Sequence, residues 1–313
     1  MKAKDYQEEY KEINGITQYF LHYPLNKSEV AVVLHGGPGQ SEILFTYYLR
    51  PFWDFCSVVY YDQRGAGKTQ VKSKSEANDI TIEALIADLK QTIQYVKEKY
   101  QTERVILIGH SWGTVLGKQY IQKYPEDVMC YIGYGQVIDM LQGEQIAYDK
   151  LRKAIEDKGK KNDLLKLSAL GNYPNDITKE NFLKIVLSFR RLQRKYRFTG
   201  NYSKAFRVAM KSPHFTARDI FSLSAKKILK LNRNLLNMLL NFRIRDTDEY
   251  HVPVFYIVGK DDWQTPSILT ANYYNKIVAP LKGIYRIENA GHLMDIDKPE
   301  QFCEIVKKIL MQL

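Results

Sequence analysis

Residues 104–120, RVILIGHSWGTVLGKQY, change hydrophobic period within a few positions, and that change constrains the fold more than any other feature. Residues 105–108 form an apolar, β-branched run of the length expected for a strand buried on both faces. From Val115 to Tyr120 the pattern becomes that of an amphipathic helix. Between the two lies Gly109-His110-Ser111-Trp112-Gly113, a G-x-S-x-G. A chain passing so abruptly from strand to helix bends sharply about the residue at its apex. Glycines two before and two after that residue let the two backbones approach without Cβ clashes. The serine is then held with its hydroxyl projecting above the sheet edge. G-x-S-x-G arises by chance in about one chain in ten of this length. Its position between a strand and a helix is what marks Ser111 as a candidate nucleophile.

The rest of the chain repeats that alternation. Residues 10–23 are a hairpin about Asn14-Gly15, a strong turn pair. Residues 30–34 and 56–61 are buried strands, the first ending in HGGPG (35–39) and the second in DQRGAG (62–67). Thr81 is the N-cap of a helix running to Tyr100, with apolar positions at helical spacing. Strands follow at 128–133, 253–258 and 283–287, with helices from Ser267 and over 299–313. Such alternation gives a mostly parallel sheet covered on both faces. It is interrupted over 137–250, a helical stretch holding 24 Lys and Arg against 12 Asp and Glu. That stretch carries a net +12, while the remainder of the chain carries −1, so the whole excess of +11 lies in one place. The expected organisation is a core of 1–136 and 251–313, with 137–250 inserted as a helical cap. The cap sits over the carboxyl edge of the sheet, where open α/β sheets bind ligands.

Composition removes several classes of function. With 313 residues and 45% hydrophobic content the chain can bury a large core. No run approaches the roughly 18 apolar residues of a membrane span. The N-terminus, MKAKDYQEEYKEI, is charged and lacks the apolar centre of a signal peptide, which points to the cytoplasm. Cys56, Cys130 and Cys303 are scattered, without a CxxC, as expected of reduced thiols. The basic runs RRLQRKYR (190–197) and KKILKLNR (226–233) belong to no nucleic-acid recognition motif and are expected to form a solvated face. GAGKT at 65–69 fails as a P-loop, because Asp62 stands where its first glycine is needed; Arg64 is expected in a structural ion pair. Oligomeric state leaves no trace in the sequence.

A serine hydroxyl needs a base to take its proton, and histidine is suited to that at neutral pH. His110 adjoins Ser111, but the elbow directs it elsewhere; His35 braces the glycine loop; His22, His214 and His251 have the context of surface or core residues. His292, in Asn289-Ala290-Gly291-His292 beyond the last strand, lies on a loop over the same edge as Ser111 and is the candidate base. The carboxylate that fixes its tautomer is Asp262, after the preceding strand, with Asp261 a solvated neighbour and Asp139 the alternative. The order Ser, Asp, His is that of this nucleophile elbow. Oxyanion donors are expected from the backbone N–H groups of Trp112 and Gly37, with Gly36 beside the substrate.

HGGPG, DQRGAG, GHSWG, GKDD (259–262) and AGH (290–292) together resemble the α/β-hydrolases. The first three resemble the proline iminopeptidase branch in particular. The resemblance covers about 200 core residues and implies an α/β-hydrolase fold: an eight-stranded, mostly parallel sheet flanked by helices, with a helical cap after the sixth strand. It further implies a serine hydrolase with no metal or cofactor, acting on a small-molecule or short-peptide substrate. Prolyl aminopeptidases of this branch hold the substrate amine with cap glutamates in a tryptophan-bearing stretch. Here no tryptophan lies between Trp112 and Trp263, and Glu144 is the possible amine ligand, against the ordinary expectation of an exposed helix carboxylate. An esterase or lipase-like hydrolase without aminopeptidase activity is the alternative within the fold, and a non-catalytic ligand-binding module is the alternative outside enzymes.

Overall fold

The computed structural model describes residues 6–25, 29–49, 52, 54–177, 181–214, 225–244 and 248–313. Of the charged N-terminal stretch, residues 1–5 lie outside the described ones. β1 (Gln7–Ile13) and β2 (Ile16–Tyr23) form the hairpin, with Asn14 at φ 47° and Gly15 at φ 76°. Two consecutive positive φ values are what a two-residue hairpin turn requires, and Asn-Gly supplies them with little strain. β3 (Val30–Leu34), β4 (Ser57–Tyr61), β5 (Val105–His110), β6 (Val128–Tyr134), β7 (Val254–Gly259) and β8 (Lys282–Ile287) follow. The eight strands make one sheet in the order β1-β2-β4-β3-β5-β6-β7-β8, antiparallel at β1/β2 and β2/β4 and parallel elsewhere.

Every residue of β3, β4, β5 and β7 is buried. This is why those stretches read as continuous apolar runs rather than alternating ones. Alternate residues feed two separate cores. After α1 (Gly67–Ser73), Val32, Leu34 and Leu107 pack under α2 (Ile82–Tyr100) and α3 (Trp112–Lys123), against Leu85, Leu89, Ile93, Val115 and Leu116. Ala31, Val33, Ile106 and Ile108 face the opposite layer. Thr81 caps α2, its hydroxyl accepting from Ala84 N at 3.2 Å.

Between β6 and β7 the chain is helical: α4 (Met140–Asp157), α5 (Lys161–Ser168), α6 (Phe182–Lys195), α7 (Tyr202–Ala209), α8 (Ala225–Leu231) and α9 (Arg233–Leu240). Ala147, Leu151, Ile155, Leu167, Phe189 and Leu192 give this segment an apolar cluster of its own. Its entry and exit pair at a neck, where Met140 N donates to Phe242 O (3.0 Å) and Ile244 N to Ile138 O (2.8 Å). α10 (Ser267–Tyr274), α11 (Met294–Asp297) and α12 (Pro299–Leu310) complete the chain; Phe302, Val306 and Ile309 of α12 cover the second core. Among the described residues no helix is long and apolar enough to cross a membrane.

Candidate active site

Ser111 sits between β5 and α3 at φ 50°, ψ −115°, a positive-φ backbone that a non-glycine residue rarely holds. The surroundings explain why it persists. Its N–H donates to Tyr134 O (3.0 Å), and its carbonyl accepts from Thr114 N (2.8 Å) and Thr114 Oγ1 (2.6 Å). A Cβ on Gly113 would run into the Leu34 carbonyl, and one on Gly109 would lie 2.9 Å from Gly113 O. The two glycines of G-x-S-x-G are therefore demanded by close packing of elbow, β3 and β5. α3 begins at Trp112, three residues before the sequence pattern suggests, because an elbow passes directly into its helix. The Trp112 N–H is at the first helical position, where no carbonyl of the same helix can accept it.

The HGGPG loop lies beside this turn. A Cβ on Gly36 would be 3.4 Å from Ser111 Cβ, and Gly37 adopts φ 118°, a value open to glycine. His35 holds the loop from below: one ring nitrogen meets Gly36 O at 2.9 Å and the other accepts from Gln63 N at 3.0 Å. Gln63 in turn accepts from the Trp112 indole (3.1 Å), so the loops after β3, β4 and β5 are tied together.

His292 and Asp262 meet at the same edge, Nδ1 to Oδ2 at 2.9 Å, and are 6% and 2% exposed. Burial pushes the Asp262 carboxyl up, but the facing imidazole and the Thr265 donors outweigh it and hold it below the ordinary carboxylate value. Its Oδ1 accepts from Gln264 N (2.9 Å) and Thr265 N (3.0 Å), and its Oδ2 from Thr265 Oγ1 (2.8 Å). Sequence reasoning missed Thr265, although a hydroxyl three residues beyond an aspartate is an ordinary turn partner. Asp261 is exposed, and Asp139 caps α4 and pairs with Arg243, so neither faces His292. Ser111, His292 and Gly37 line two adjoining cavities of about 340 and 130 Å³.

Glu144 corrects an expectation. It is 1% exposed rather than a solvated helix carboxylate, because its face of α4 turns toward the smaller cavity. There it forms a two-pronged ion pair with Arg190 of α6 and accepts from the Tyr173 hydroxyl. GAGKT has a structural role: Gly67 opens α1 against the Asp62 carboxylate, whose Oδ2 accepts from Lys68 N at 2.7 Å. Arg64 forms the expected structural pair, with Asp88 at 2.8 Å.

A nucleophile elbow, a glycine loop and a His–Asp pair on successive loops of one sheet edge form a constellation met in one broad family. The model of the alpha/beta hydrolase fold matches residues 30–299. The chain belongs to that family. This α/β hydrolase is 27% identical over 288 residues to the probable aminopeptidase YbaC of Bacillus subtilis, covering 90% of this chain and 89% of that one. It is 24% identical over 321 residues to the proline iminopeptidase of Saccharolobus solfataricus, covering 98% and 93% of the two chains. In fold it matches the proline iminopeptidase of Mycobacterium smegmatis with a TM-score of 0.68 at 17% identity, over 98% of each chain.

Proposed function

We propose that this α/β hydrolase is a proline iminopeptidase-like serine hydrolase that cleaves an ester or amide bond through an acyl-enzyme on Ser111. The observation that carries the proposal is the buried His292–Asp262 pair, whose His292 lines the same cavity as Ser111 on its strained turn. His292, oriented by Asp262, takes the Ser111 proton as the hydroxyl attacks the carbonyl carbon. The N–H groups of Gly37 and Trp112 receive the developing oxyanion. His292 then passes its proton to the leaving group, and a water activated by His292 releases the acyl group by the reverse steps. Residues 137–250 act as the cap whose side chains select the substrate, a small molecule or short peptide. Three buried, unbridged cysteines fit a reducing, cytoplasmic setting.

A second reading has its own support. The Glu144–Arg190 pair neutralises the cap acid that an aminopeptidase substrate would need there, which favours an esterase with no amine requirement at that side. Turnover of prolyl-p-nitroanilide and p-nitrophenyl butyrate, with Ser111→Ala as the blank, separates the two. A higher kcat/KM on the prolyl amide supports the iminopeptidase; turnover of the ester alone supports the esterase. Retention of more than a few per cent of activity in Ser111→Ala contradicts both.

A further inference from the structure

The cap's positive charge is most one-sided over residues 181–214, which hold nine Lys and Arg and no Asp or Glu. Two of the nine are taken up inside the cap, Arg190 by Glu144 and Lys195 by Asp163. Arg194, Arg197, Arg207 and Lys211 meet no carboxylate among the described residues. Arg194 lies over the Tyr202 ring at 5.7 Å, which joins the end of α6 to the start of α7. α7 and the turn that ends it divide into three strips. Ala205 and Val208 are buried against Ile296 of α11. Tyr202, Phe206 and Met210, four residues apart and so stacked along one side, are 39%, 66% and 61% exposed. Next round the helix come Ser203, Arg207 and Lys211, also exposed. Tyr202 and Phe206 line the larger cavity beside Ser111 as well, so the exposed apolar strip is a lip of that cavity's mouth. Asp297, the acid that reaches the start of α7, is occupied by Gly291 N and Asn201 N. A row of large apolar side chains left in water marks a surface that meets something.

We propose that this face of α7 docks on an anionic lipid surface, with Phe206 and Met210 at the boundary of headgroups and acyl chains and Arg194, Arg207 and Lys211 on the lipid phosphates. Charge and apolarity choose the occupant together. A nucleic acid would meet the cations but leave Met210 and Phe206 without hydrocarbon to enter. A second copy of this chain would set the same cations against one another. An anionic bilayer offers phosphate at its surface and hydrocarbon just beneath, which is the order in which the two exposed strips need them. The strips lie side by side on one helix whose third side is anchored to α11, so docking asks for no change of fold. With α7 on the lipid, the mouth of the Ser111 cavity opens there, and what enters is an apolar ester or amide dissolved in the lipid. Docking rests on α7 alone; that the entering molecule is a substrate rests on Ser111 being the nucleophile.

Co-sedimentation of the whole chain with vesicles reads docking without requiring turnover. Vesicles of phosphatidylglycerol mixed with phosphatidylcholine are expected to bind it about tenfold more tightly, or better, than phosphatidylcholine alone, and rising salt should weaken that binding. The double variant Phe206→Ser/Met210→Ser keeps every cation and should lose about tenfold or more in affinity for the mixed vesicles. Arg207→Gln/Lys211→Gln keeps the apolar strip and should bring the two vesicle types closer together. All four side chains are exposed, so both variants should keep the native circular dichroism. Failure to bind the mixed vesicles overturns the proposal, as does equal binding to both types. Binding unchanged in Phe206→Ser/Met210→Ser overturns it too, because the cations alone would then account for adsorption. Self-association without vesicle binding, abolished by that variant, gives the face to a second copy and overturns it as well. Vesicle binding by a chain whose Ser111 does not react with a fluorophosphonate sustains the docking face and removes the hydrolase instead.

Discussion

In the sheet, β3, β4, β5 and β7 bury apolar side chains on both faces, and the buried acids of the core divide between the His292–Asp262 pair and structural pairs such as Arg64–Asp88 and Asp127 with Lys90 and Lys97. The helices between β6 and β7 bury charge as structure. Glu144 and Arg190 pair inside that segment, and Asp163 holds Lys195 (2.5 Å) and the Tyr196 hydroxyl (2.9 Å). The two regions meet through apolar packing, Leu235 and Leu239 of α9 joining the cluster around Leu85 and Leu89, and through polar groups. Asn232, between α8 and α9, crowds the Cα of Gly39 and donates to Gly65 O at 3.1 Å. Thr199-Gly200 packs against Gly291 and His292, and Asp297 accepts from both Gly291 N (2.9 Å) and Asn201 N (3.1 Å). On the proposed reading, a sheet built from local apolar runs supplies the reaction, and helices packed on an apolar cluster of their own and joined by non-local ion pairs set what reaches it.

The largest expected effect lies on the core side. Asp262→Asn keeps the shape of the site but removes the charge facing His292, and kcat should fall about 10³- to 10⁴-fold. The same variant has a signature in stability. A carboxyl held below its ordinary value contributes stability that is present above about pH 4 and is lost as pH falls through the lower folded value. Urea midpoints of Asp262→Asn should therefore fall less steeply than wild type on acidification below about pH 4. An unchanged acid limb would mean that Asp262 and His292 are not paired in solution.

A smaller effect tests the helical side. Arg190→Met strands Glu144 as a buried, unpaired acid and should lower stability by roughly 3–5 kcal/mol in urea unfolding. Adding Glu144→Gln should recover most of that loss, because no buried charge remains. If Arg190→Met alone is neutral, the pair does not hold α4 and α6 together, and the contrast between the two regions fails.

Much of the core is legible in the sequence because its signals are local. A run of β-branched residues is a buried strand wherever it lies, and Thr81 with Ile82 to Val96 marks α2 at its observed bounds. Gly109 and Gly113 announce the elbow because no other residue fits between β3 and β5. The polar arrangement around the site is another matter. Glu144 and Arg190 are 46 residues apart, and helical spacing says which face a residue occupies, not what it meets there. Glu42 and His110 pair across 68 residues in the same way, His110 ending β5 and Glu42 following the HGGPG loop.

The most direct measurement is reaction of the folded protein with a fluorophosphonate probe, followed by peptide mapping. A nucleophile at the β5–α3 elbow, activated by His292, predicts one probe per chain, bonded to Ser111 and absent from Ser111→Ala and His292→Gln. No labelling of the folded protein, or labelling at a different residue, would contradict it.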